Sequence, residues 1–118
     1  MTDITFKDIE AEVRKLAAER PDFEYPEGSC YYNPSTFPRK PSCLFGQAFI
    51  NLGEPVPESY ENIPITTVMR RLGIRFTEQE GYWAGTVQNQ QDGSHPWGKA
   101  IALGDKWHPL HEETDTAA

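Results

Sequence analysis

The stretch CLFGQAFINL, residues 43–52, places apolar side chains on nearly every side of a helix. A helix with no polar face has nothing to offer water, so it belongs at the centre of a domain. Ser42 stands before it as an N-cap, and Gly53 follows it as a left-handed stop. Gly46 within it leaves room for another backbone to come close. The rest of the chain must wrap this helix. At 118 residues it has the size of one domain, and it can bury about two-thirds of the surface its unfolded form exposes.

The wrapping elements read as short helices. Phe6, Ile9, Val13, Leu16 and Ala17 recur at helical spacing and form one apolar stripe. Thr5 caps that helix, Asp8 completes a capping-box variant, and Arg20 before Pro21 ends it. Lys7, Glu10, Glu12, Arg14 and Lys15 fall opposite, as a solvated face. Residues 22–41 lose the helical period. A small β-hairpin over 23–32, turning at Pro26-Glu27-Gly28, fits them, and a proline-rich loop follows. A third helix opens at Asn62–Pro64, turns Ile65, Val68, Met69 and Leu72 inward and stops at Gly73. The Thr77/Glu80 pair matches a capping box for a fourth, which runs to Asp92-Gly93. Pro96 starts a fifth, with Trp97, Ala100 and Ile101 facing in.

The expected fold is mainly α: a compact orthogonal bundle of about five short helices around the buried helix at 43–52. Ten prolines and nine glycines keep the elements too short for a four-helix bundle. Residues 1–108 form the single globular domain, and the polar end, 109–118, frays.

Composition narrows the function classes. The formal charge is −7, which makes nucleic acid an unlikely partner, because phosphate binding is driven by Lys and Arg. No apolar run approaches the roughly 18 residues of a membrane span. The opening MTDITFKDIE lacks the basic and apolar regions of a signal peptide. A cytoplasmic location is the expectation, and with it two reduced cysteines.

Cys30 and Cys43 admit four readings. Buried free thiols acting as small apolar groups are favoured. A disulfide would contribute about 3 kcal/mol in the chain-entropy model. A zinc clip would need two of His95, His108 and His111, without the tight ligand pairs usual for zinc. The fourth reading is enzymatic. Cys43 just inside a helix N-terminus is where a thiol pKa falls, and His95 with Asp92 would supply the base and its orienting group. PSCLFGQAF resembles the nucleophile region of NlpC-type cysteine peptidases. That family carries its His on a strand after the helix and small residues after the Cys, whereas Leu44 and Phe45 stand here. There is no P-loop, G-x-G-x-x-G, H-E-x-x-H or acidic metal cluster, so neither a cofactor nor a metal is expected.

A second unusual stretch is QNQQDGSHPWG, residues 88–98. As structure it is an αα-hairpin: Asp92-Gly93 turns, Ser94 or His95 caps, and Trp97 anchors the corner. As a site, Gln88, Gln91, Asp92, His95 and Trp97 would line a polar groove able to hydrogen-bond a partner. Arg39-Lys40 and Arg70-Arg71 are the basic doublets, suited to an acidic partner or a phosphate. For Arg70 and Arg71 a solvated helix end is the simpler account.

Taken together, G-S-C-Y-Y, P-S-C-L-F-G-Q-A-F-I-N-L-G and V-Q-N-Q-Q-D-G-S-H-P-W-G-K-A-I resemble a group of uncharacterised small proteins of actinobacteria and their phages. Those share a C-x-Y element, a P-x-C-x-x-G helix ending in L-G and a late Q-D-x-G-x-x-W-G-x-A element. The resemblance spans roughly residues 10–103. It implies no activity, only a phage or mobile-element setting in which small acidic proteins act by binding host or phage machinery. The expected function is therefore that of a non-enzymatic acidic binding or regulatory protein with a protein partner. A small cysteine-dependent hydrolase (Cys43, His95, Asp92) and a nucleic-acid module are the alternatives.

Overall fold

The computed structural model describes residues 2–26, 31–32 and 42–110. Among these it is mainly α, with helices α1 (Phe6–Glu19), α2 (Leu44–Asn51), α3 (Ile65–Leu72), α4 (Glu78–Asp92) and α5 (Trp97–Trp107), and a 3-10 turn at Glu58–Tyr60. α2 packs on α1 and α4, and α4 packs along α5 and α3. The hairpin expected over 23–32 has its turn outside the described residues. Of its described part, Glu24 forms a single antiparallel bridge with Pro96.

The core is built as the apolar periodicity requires. Phe6, Ile9, Val13, Leu16 and Ala17 of α1 are buried against Leu44, Phe45, Ala48 and Phe49 of α2 and the indoles of Trp83 and Trp97. Each large side chain so removed from water contributes about 1.5–3 kcal/mol. Gly46 is where the segment at 31–32 crosses α2. A Cβ there would stand 2.7 Å from Tyr32 Cα and closer still to its carbonyl oxygen, so only glycine fits. Gly53 and Gly73 both take positive φ, 85° and 82°. After each, an amide reaches back over the helix end: Glu54 to Phe49 O at 2.9 Å, and Ile74 to Met69 O at 2.9 Å.

Two expected surface residues of α1 turn to a seam with α5, Glu10 buried and Arg14 half-buried. Glu10 is buried and accepts from Arg14 Nε at 2.8 Å. Arg14 forks onto Asp105 of α5 at 2.9 and 2.8 Å, and Asp105 also accepts from Trp83 Nε1 at 2.9 Å. The hydrogen bond to Asp105, ahead of those from Glu10, raises the Arg14 pKa and so favours the charged guanidinium. The reason for the departure is tertiary: Trp83 brings a buried N–H to this seam, and its acceptor, Asp105, recruits the cation. Pro109 and Leu110 are likewise held. Gln79 donates to Pro109 O at 3.1 Å, and Leu110 packs on the core.

The helix N-termini divide into two kinds. α1 and α4 cap themselves through complete capping boxes, Thr5/Asp8 and Thr77/Glu80. α3 and α5 start after Pro64 and Pro96, which offer no side-chain cap. The first amides of α5, Trp97 and Gly98, donate instead to the carbonyls of Phe23 and Pro21 at 3.0 and 2.9 Å. The α2 cap is Cys43 rather than Ser42, its sulfur accepting from Gly46 N at 3.4 Å.

Candidate functional site

The glutamine corner complete the capping scheme from the side of α4. Gln88 and Gln91 lie one turn apart on its buried face. Gln88 Oε1 accepts the first amide of α3, Ile65 N, at 2.8 Å. Its Nε2 donates to the Tyr32 hydroxyl at 2.6 Å, and that hydroxyl donates to the carbonyl of Ile63. Gln91 Oε1 accepts the first amide of α2, Leu44 N, at 3.2 Å and the Trp97 indole N–H at 3.3 Å. Its Nε2 donates to Asp92 Oδ1 at 2.5 Å. Two carboxamides thus satisfy the N-termini of two other helices, groups that would otherwise be buried without partners.

This placement decides what the corner can do. Gln88, Gln91 and Trp97 are interior, with Gln91 and Trp97 fully buried, so the groove expected from residues 88–98 does not form around them. Trp97 packs edge-on against Phe23 at 4.7 Å. Asp92 and His95 are partly exposed. Burial pushes the Asp92 carboxyl up to about 6, and the bond from Gln91 opposes the shift. The Tyr32 hydroxyl is also raised, chiefly by burial, with the Gln88 bond opposing and the charges of Asp92 and Glu61 adding. Ser94 takes φ 65° and donates to Tyr25 O at 3.0 Å, which holds the α4–α5 corner.

Cys43 is buried and disulfide-bonded. The chain's other cysteine, Cys30, lies outside the described residues, as do Arg39 and Lys40. The expectation of reduced thiols is corrected at Cys43, and a sulfur in a disulfide offers no thiolate for attack. The α2 N-terminus does come near Asp92, but with Gln91 between them. No group of His, Cys, Asp and Glu suited to a metal ion occurs among the described residues, and none of their helices is long and apolar enough to cross a membrane.

The surface feature that the sequence reading missed lies on the opposite side of α4. A groove of about 420 Å³ runs between α3 and α4, lined by Thr66 and Arg70 on one wall, and Tyr82, Gly85, Thr86 and Asn89 on the other. His108, at the end of α5, closes it. This volume is within the range of ligand and peptide clefts. A shallower arm continues past Arg70 and Phe76 to Ile74 and Arg75. Tyr82 is 53% exposed, with its ring tilted over His108 at 5.3 Å. Arg70 lies over the Phe76 ring at 5.3 Å and Arg71 over Tyr60 at 5.5 Å. The ion pairs among the described residues are those of Arg14 with Glu10 and Asp105, and Arg70, Arg71 and Arg75 form none there.

One signal for this groove was legible. Gly81 and Gly85 stand four apart in an otherwise strong helix. A glycine in a helix interior costs about 1 kcal/mol relative to alanine. At Gly81 the Phe76 ring explains it, since a Cβ would stand 2.9 Å from that ring. At Gly85 nothing beyond its chain neighbours and the backbone of its own helix lies within 4 Å of where a Cβ would be. No protein-family model, curated protein or solved structure matches the chain.

Proposed function

We propose that this chain is a non-enzymatic binding protein, of a phage or mobile-element setting, that acts by docking a protein partner on the α3–α4 groove. The observation that carries this is Tyr82. A half-exposed tyrosine at the lip of a formed groove, beside side chains that make no hydrogen bond among the described residues (Thr66, Thr86, Asn89), is the pattern of an interface anchor. The buried glutamine corner supports the same reading indirectly, because it removes the competing polar surface. The disulfide at Cys43 speaks against the cytoplasmic location expected from the sequence, since such bonds persist in oxidising compartments.

The test is affinity capture with matched baits: the native chain, Tyr82→Ala and a variant changed on the far face of α1, Lys7→Ala. A partner retained by the native chain and Lys7→Ala but lost with Tyr82→Ala supports the proposal. Equal retention by all three, or no partner across repeated captures, counts against it. The nucleic-acid alternative keeps one observation in its favour, that Arg70 and Arg71 form no ion pair among the described residues. It requires a gel shift at low ionic strength that weakens steeply with salt.

A further inference from the structure

Resting on the reading of the α3–α4 groove as the docking surface, we infer that its occupant is an extended acidic segment of the partner protein. The argument begins with charge. The chain carries 18 acidic and 11 basic Lys and Arg side chains, so most of its surface repels an acidic partner. The groove departs from that pattern. Arg70 stands where its two arms meet, Arg75 lies along the second, and Glu78 is the single carboxylate lining either arm. A cationic strip on an anionic protein steers an acidic chain to one place and disfavours every other.

The geometry sets the shape of that chain. The Arg70 guanidinium carbon lies 5.3 Å from the Phe76 ring centroid, a cation–π contact that leaves the guanidinium's N–H donors for a carboxylate. At Gly85 the open floor admits a backbone at a distance any side chain would prevent. Thr86 and Asn89 stand beside it, with both donors and acceptors for a peptide backbone. Tyr82 on His108 supplies a flat apolar contact. An extended segment fits all three: backbone over Gly85, an apolar side chain on Tyr82, and carboxylates at Arg70 and Arg75.

The test uses the full chain and fluorescent peptides of equal length: a Glu/Asp-rich peptide with one Leu, its Lys counterpart and its Ser/Gln counterpart, with a single-stranded oligonucleotide as the nucleic-acid probe. Anisotropy gives affinity, and amide NMR shifts at Tyr82 and Gly85 give location. The acidic peptide is expected to bind and shift both amides. Binding should weaken about tenfold or more in Arg70→Glu/Arg75→Glu and in Gly85→Gln, and weaken with salt. Circular dichroism and thermal midpoints establish that each variant folds. If the Lys or Ser/Gln peptide shifts the same amides with equal affinity, the acidic preference is overturned while the groove stands as a docking site. If no peptide shifts them, or groove variants bind as the native chain does, the reading of the groove fails as well. An oligonucleotide that binds there more tightly than the acidic peptide overturns the assignment to a protein. So does movement of the groove amides when Glu112, Glu113 and Asp115 are neutralised to Gln, Gln and Asn, because the occupant would then be the chain's own end.

Discussion

Replacing Gln88 by Met keeps the length and nearly the volume of the side chain and removes only its polar atoms. In the native chain Gln88 Oε1 receives Ile65 N at 2.8 Å, and Nε2 gives a 2.6 Å bond to Tyr32. The variant leaves the first amide of α3 buried without an acceptor, at a cost of about 1–3 kcal/mol. The Tyr32 hydroxyl loses one partner but keeps its bond to the Ile63 carbonyl, so its share is smaller. Burying a thioether in place of an amide offsets about 1 kcal/mol. The net expectation is a destabilisation of about 2 kcal/mol, a large part of a typical total of about 5–15. Urea unfolding followed through the buried indoles of Trp83 and Trp97 reads this as a lower midpoint at unchanged slope. A double-mutant cycle with Tyr32→Phe isolates the pair, with a coupling of about 0.5 kcal/mol or more. A loss below about 0.5 kcal/mol for Gln88→Met, with additivity in the cycle, would refute the view that α4 caps α3.

Other expectations follow from the same structure. Gly46→Ala improves helix propensity but drives a methyl into the Tyr32 backbone. It should destabilise by about 1–3 kcal/mol or more, seen as a lower thermal midpoint. Gly85→Ala meets nothing and should stabilise by about 0.5–1 kcal/mol, while narrowing the groove and weakening any ligand held there. Burial lifts the Asp92 carboxyl to about 6 in the folded chain, from the 3.8 ordinary for an aspartate. The folded chain therefore holds this proton more tightly, and the penalty of burying the charge is full above pH 6 and fades as pH falls toward 4. Asp92→Asn should accordingly be more stable than the native chain above pH 6, with the gap closing toward about pH 4. A constant gap across that range would show that Asp92 does not titrate as described. For Cys43, the denatured mass of the unreduced chain should be about 2 Da below that of the reduced chain. Alkylation of Cys43 without reductant would contradict the disulfide.

Much of the fold was written locally. Both capping boxes, both glycine stops and the apolar stripe of α1 involve residues within a few positions of one another, so their energetics act before any tertiary contact and can be read from spacing alone. The predominantly apolar character of residues 43–52 sufficed to place that helix inside. What spacing could not show was the destination of a polar group. Gln88 and Gln91 look like surface residues in any local window. They are buried because α2 and α3 arrive with uncapped amides from 47 and 23 residues away. Glu10 is buried and Arg14 half-buried for an equally remote reason, the indole of Trp83 and the carboxylate of Asp105. The candidate groove follows the same division. Gly85 hinted at it within one helix, but its walls come from two helices, and of its cations Arg70 belongs to α3 while Arg75 comes from the stretch that joins α3 to α4. The sequence by itself determined the helices, the caps of α1 and α4, the stops of α2 and α3, and which stripes turn inward, because those depend on short-range backbone chemistry and hydrophobic period. Only the tertiary structure decided which polar side chains are caps and which remain for a partner, because a buried donor takes its acceptor from whatever element packs against it.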